Sequence, residues 1–232
     1  MQANKLVQFT RRVWRNVLPV AAPGCSQGTP YSFWVREGEG HPTKLAVVFA
    51  GGGACWTGEN SELHGKPFYR PFAGLESDPS DLGGIFDIAN PENPLVDYIM
   101  VYIPTANGDV FLGDSVTVYD VPAMGSHPAG KITILHRGYD NAMPALDWMF
   151  KTYPDPTTVA MLGWSAGAIG SPLYNHIVAQ HYPKASVTHF PDDGGAYRVG
   201  EKLAPLLESC GTANVLKRGK GFERYERGWP VI

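Results

Sequence analysis

Residues 157–180 constrain the fold of this chain more than any others. Residues 157–162 (TTVAML) form a β-branched, apolar run of strand character, Gly163-Trp164-Ser165-Ala166-Gly167 interrupts it, and residues 168–180 continue as a helix. A strand that becomes a helix within five residues brings the two elements almost into contact, so the positions two before and two after the central serine must carry no side chain. Gly163 and Gly167 meet that requirement. Ser165 is then held in a strained turn, lifted above the sheet edge, with the positive end of a helix behind it. Such a unit belongs in a mostly parallel sheet with helices on its faces.

The other segments fit this plan. Residues 31–36 (YSFWVR) and 45–50 (LAVVFA) read as two neighbouring strands, the second apolar throughout, as a central strand should be. Residues 96–103 (VDYIMVYI), 131–136 (KITILH) and 186–190 are further strands. Ala142, Leu146, Met149 and Phe150 recur at helical spacing, with Asn141 as a cap, and a short helical run lies near residues 203–207. The Gly- and Pro-rich stretch 57–95 lacks any sustained period, and a loop of that length in a compact domain is usually functional. No linker divides the chain, so residues 1–232 are expected to form one α/β domain.

Composition removes several classes of function. Nineteen Lys and Arg against 22 Asp and Glu give a net charge of -3, which excludes a nucleic-acid binder driven by bulk positive charge and a polybasic membrane face. No window reaches the roughly 18 to 20 apolar residues of a membrane-spanning helix. The apolar run at 17–22, after Arg11, Arg12 and Arg15, is short and broken by Pro19, so no signal peptide is read there. Cys25, Cys55 and Cys210 are odd in number and fit no zinc spacing.

The pentapeptide at 163–167, between a strand and a helix, is the pattern of a nucleophile elbow, with Ser165 as the nucleophile. Gly51-Gly52-Gly53-Ala54-Cys55-Trp56 follows the central strand, where glycines let backbone N–H groups approach a developing oxyanion. The N–H of Ala166, the residue after the nucleophile, is the complementary donor. A phosphate loop is disfavoured, since neither G-K-[ST] nor G-x-G-x-x-G is present at that place.

GGGACW, NGDVFLGD, HRGYDNAMPALDW, GWSAGA and DDGGAY occur in the order and spacing seen in bacterial proteins of the pectinacetylesterase family, which also contains the carboxylesterase Notum. The chain resembles that family from about Trp14 to Tyr197. The resemblance implies an α/β-hydrolase fold and a serine carboxylesterase, in a family whose members remove acetyl groups from pectin or a fatty acyl group from a secreted protein; the expectation here is an O-acyl, first an O-acetyl, group of a carbohydrate such as pectin. By position, Ser165 matches the nucleophile and Gly52, Gly53 and Ala166 the oxyanion donors, while Cys55 matches a family cysteine. Secretion or a periplasmic location is implied in the same way. No metal or organic cofactor is required by this chemistry.

A serine hydroxyl needs a base and an orienting acid, which in α/β-hydrolases follow the serine in the order acid, then histidine. After Ser165 come His176, His181 and His189, and all precede Asp192 and Asp193. The order cannot be completed, and the expectation is that the fold continues beyond Ile232, with the base there. Within the chain, Asp193 is the candidate acid, with a turn aspartate as the plainer reading. His136 reads as structural. Asp109 and Asp114 are either a paired carboxylate site or two turn residues beside Gly108 and Gly113. Trp56, Tyr69, Phe72 and Trp164 are aromatics that either stack on a ligand or pack the fold. The competing functional reading is a non-catalytic carbohydrate-binding relative.

Overall fold

The computed structural model describes residues 13–38, 43–62, 67–123, 125–194, 203–219 and 222. The Arg11–Arg12 pair, the end of DDGGAY from Gly195 to Tyr197 and the last residues before Ile232 lie outside them. Strands β1 (Arg15–Val17), β2 (Phe33–Arg36), β3 (Lys44–Phe49), β4 (Ile99–Ile103), β7 (Thr158–Trp164) and β8 (Ser186–Asp192) form one sheet in the order β1-β2-β4-β3-β7-β8. The pairs β4–β3, β3–β7 and β7–β8 are parallel, and β1–β2 and β2–β4 are antiparallel. The sheet is thus mostly parallel and flanked by helices. The two early strands are not neighbours, because β4 inserts between β2 and β3. Local pattern cannot show such a crossover, since it reports how buried a strand is and not what lies beside it.

The period-2 geometry of strands sorts the core even where every residue is apolar. Leu45, Val47 and Phe49 of β3 face one cluster with Val159 and Met161 of β7, while Ala46, Val48 and Ala50 face another. The first cluster is closed by α2 (Gly138–Thr152) and α3 (Ala166–His181). The second is closed by Trp14, Phe86 and Leu95, so the long 57–95 stretch roofs part of the opposite face. The described residues of that stretch contain only the single-turn α1 (Gly58–Ser61) and three 3-10 turns, in line with its lack of a period.

Two elements differ from the pattern-based expectation. A separate hairpin pairs β5 (Ser115–Val121) with β6 (Gly130–His136), so the 131–136 run is a strand outside the main sheet. Asn141 lies inside α2 rather than at its start, and its side chain is buried, donating to the Gly24 carbonyl at 2.8 Å and to Asn107 Oδ1 at 2.8 Å. Two short helices, α4 (Ala204–Ser209) and α5 (Thr212–Leu216), follow β8. No helix among the described residues is long and apolar enough to cross a membrane.

Candidate functional site

In parallel register Phe49 of β3 stands opposite Gly163 of β7, so the chain leaves both strands at the same sheet edge. Sites in open parallel sheets form at that edge, between the loops of adjacent strands. Here the glycines after β3 pass directly beside the turn after β7: a Cβ on Gly51 would lie 2.5 Å from Trp164 Nε1 and 3.1 Å from Ser165 Cβ. A Cβ on Gly163 would lie 2.5 Å from the Gly167 carbonyl oxygen, and one on Gly167 would run into the Phe49 carbonyl. The two glycines are therefore demanded by strand–helix contact, as their spacing predicts.

Ser165 has φ 51° and ψ -119°, a conformation that costs a non-glycine residue about 1–3 kcal/mol and persists only when its surroundings enforce it. They do so through the backbone. The Ser165 N–H donates to the Asp192 carbonyl at 3.0 Å, and its own carbonyl accepts from Ala168 at 3.0 Å and Ile169 at 3.3 Å. Ala166 opens α3, where a first-turn N–H has no intrahelical acceptor and the helix end is partly positive. Gly53, at φ 74°, forms an isolated bridge with Tyr69 in which the bonds run from Ala54 N–H to Phe68 O (3.0 Å) and from Arg70 N–H to Gly52 O (2.8 Å). The N–H of Gly53 itself is left outside that pair.

Ser165, Ala166 and Gly53 all line one cavity of about 500 Å³. Gly52 does not line it. The remaining wall is apolar: Trp56, Phe68, Val110, Ile169, Leu203 and Leu206. Of the aromatics singled out in the sequence, Trp56 is in the cavity. Tyr69 is buried with its hydroxyl 3.0 Å from Ser26 Oγ, and Trp164 stacks on Tyr102 at 6.0 Å, while Phe72 does not line the cavity. Phe68, Val110, Leu203 and Leu206 carried no local signal of their role. Ile169 lies one helical turn after Ser165, on the same face of α3.

The carboxylates and imidazoles divide sharply. Asp109 and Asp114 do not share a site. Asp109 is buried and accepts from Gly138 N–H at 2.7 Å and Phe111 N–H at 3.1 Å, and burial pushes its carboxyl up to about 6. Asp114 pairs with Arg137 at 2.9 Å and with Arg218. Asp193 is exposed, has φ 54° and does not line the cavity. His136 ends β6 fully buried, between the Asn107 carbonyl (2.9 Å) and the Tyr119 hydroxyl (2.8 Å), and burial pushes it down to about 4. His189 meets Ser171 Oγ at 2.9 Å, and His181 stacks on Phe150 at 3.7 Å. No histidine among the described residues lines the cavity.

All three cysteines are free and buried. Burial raises each thiol, Cys55 to about 12, so none is a nucleophile at neutral pH. Compared with models of known protein families and with curated proteins, the chain matches none.

Proposed function

We propose that this chain carries the nucleophile and oxyanion half of a serine carboxylesterase of the α/β-hydrolase type, of the pectinacetylesterase kind that its motifs resemble. One observation carries the reading: Ser165, a non-glycine residue at φ 51° between a parallel strand and a helix N-terminus, opens onto a cavity that Gly53 and Ala166 also line. Strain of this kind at a cavity is expected where a side chain must be presented rather than packed. Ser165 Oγ attacks the ester carbonyl carbon while a base takes its proton. The N–H groups of Ala166 and Gly53, both at the cavity, are the donors to the resulting oxyanion, with Gly52 the further donor that the resemblance implies. The carbon–oxygen bond to the alcohol then breaks, the alcohol leaves with the proton, and water releases the acid from Ser165.

The apolar wall bears on the acyl side of the substrate. An acetyl group would leave most of about 500 Å³ unfilled, whereas an alkyl chain would bury its methylenes at about 0.8 kcal/mol each. The cavity thus favours a longer acyl group than the acetyl expected from the resemblance, on an alcohol that the resemblance makes a carbohydrate. The base and acid come from outside the described residues in this reading. A second reading, a non-catalytic binding relative, is favoured by the lack of a histidine at the cavity among those residues.

The two readings separate by fluorophosphonate labelling and by hydrolysis of p-nitrophenyl esters. Labelling and turnover that disappear in Ser165→Ala, by about a thousandfold or more, support the esterase. Equal labelling of both proteins would remove Ser165 from the mechanism, and an unreactive wild type that still binds acylated sugars would favour the binding module.

A further inference from the structure

Leu203 and Leu206 of the cavity wall belong to a segment that packs into the main core and gathers three of its hydrogen bonds to the rest of the fold on one residue, Asp114. Every polar atom of Asp114 is engaged. Its N–H donates to the Cys210 carbonyl at 2.8 Å, and its carbonyl accepts from Asn214 Nδ2 at 3.2 Å. Its carboxylate oxygens take Arg137 Nη1 at 2.9 Å and Arg218 Nη2. Three of these four bonds go to residues 203–219. The arginines are in turn tied to Asp140 on α2, Arg218 at 2.5 Å and Arg137 at 3.7 Å, which closes a ring of two acids and two bases. Ser115 and Thr117, the next side chains on the same face of β5, both donate to the Ser209 carbonyl, at 3.1 and 2.8 Å.

Two of these anchor residues are bonded in turn to the cavity lining, since the Cys210 N–H and the Ser209 hydroxyl both donate to the Leu206 carbonyl, at 3.0 Å each. We propose that Asp114 is a positioning residue: by latching α4 and α5 to the start of β5 and to α2, it sets where Leu203 and Leu206 stand, and so how long an acyl chain the Ser165 cavity accepts. The inference rests on the acyl-site reading of that cavity. Asp114 neither contacts the ester nor moves a proton. It fixes the wall because a doubly paired carboxylate, with both backbone groups also bonded, leaves the segment one register against β5. The Arg218 guanidinium, 5.3 Å from the Tyr139 ring centroid, adds a face contact that holds the last turn.

The test is amide hydrogen exchange, followed by mass spectrometry, on the full chain and on its Asp114→Asn and Arg218→Met forms, together with binding of the fluorescent fatty acid cis-parinaric acid. In both variants the latch predicts exchange about threefold to tenfold faster in 203–219, the range expected for loss of a part-buried ion pair, with α2 and β7 unchanged. Parinarate affinity falls by a similar factor, while a short-chain ligand such as butyrate loses none. Arg218→Met leaves both backbone bonds of Asp114 in place, so it reports on the ion pairs should Asp114→Asn fold poorly. Unchanged exchange in 203–219, or faster exchange with parinarate affinity intact, overturns the proposal. A wild-type chain that binds no parinarate overturns the acyl-site reading and the wall's role with it, while the exchange data still decide whether the latch exists.

Discussion

Asp109 and Asp114 stand five positions apart in one loop, each close to a glycine, and the fold uses them in opposite ways. Asp109 is buried, and its carboxylate is held by the N–H groups of Gly138 and Phe111. Asp114 sits at the surface margin and is held by two guanidinium groups. The first fixes the backbone: it ties the start of α2 to a turn in which Val110 and Phe111 take φ 49° and 67°, and so places Val110 in the cavity. The second fixes a neighbour, the segment carrying Leu203 and Leu206. A carboxylate held by backbone donors in the interior gives rigid geometry at a pH-dependent cost, whereas one held by cations near solvent gives a weaker, salt-sensitive hold.

The largest consequence is expected from Asp109→Ala. It leaves two buried N–H groups without their acceptor, at about 1–3 kcal/mol each, so urea denaturation at pH 5, where the burial of a charged Asp109 does not offset the loss, should show a loss of about 4 kcal/mol. A loss below about 1 kcal/mol would mean that water or a shifted loop replaces the carboxylate without strain.

The next effect is one of pH. Burial raises Asp109 from 3.8 to about 6, so between those values the folded chain keeps a proton that the unfolded chain has released, and stability falls as pH rises through the window. His136 does the reverse. Burial lowers it from 6.5 to about 4, so the unfolded chain takes up the proton first and stability rises over nearly the same window. Each contribution is on the order of 2–3 kcal/mol and they oppose one another. Urea midpoints of the wild type should therefore change little between pH 4 and 6 on account of this pair. In Asp109→Asn the His136 contribution stands alone and stability should drop steeply on acidification; parallel pH profiles for the two proteins would refute the opposition.

Asp114→Asn should have the smallest global effect, about 1 kcal/mol, because its partner Arg218 is 39% exposed and the pairs are screened. Thermal melts in 1 M NaCl should narrow the gap between wild type and variant to a few tenths of a kcal/mol, while the gap for Asp109→Ala persists. A salt-insensitive Asp114→Asn would place its contribution in packing instead of charge.

The same contrast explains what could be read from residues alone. The strand–turn–helix at Ser165 and the apolar runs of β3, β4 and β7 are local: each is set by steric and hydrophobic pattern within about ten residues, and each is observed. β5 has strand character in Val116, Val118 and Val121, but most of its residues are not buried and it pairs with β6 outside the main sheet, so no buried apolar run marks it in the sequence. Whether Asp109 and Asp114 form a pair or serve as separate turn residues stays open in the sequence, since nearness along the chain says nothing about which carboxylate meets solvent.

For this chain the sequence by itself determined the α/β class, the sharp strand-to-helix turn at Ser165 and the need for Gly163 and Gly167, because these follow from backbone sterics and side-chain periodicity over short spans. Only the tertiary structure decided that β4 separates β2 from β3, that Gly53 and Ala166 share a cavity with Ser165, and that Leu203 and Leu206 line it on a segment bonded to Asp114. Those contacts join residues tens of positions or more apart, and whether such residues meet depends on how the packed layers and ion pairs of the whole fold settle.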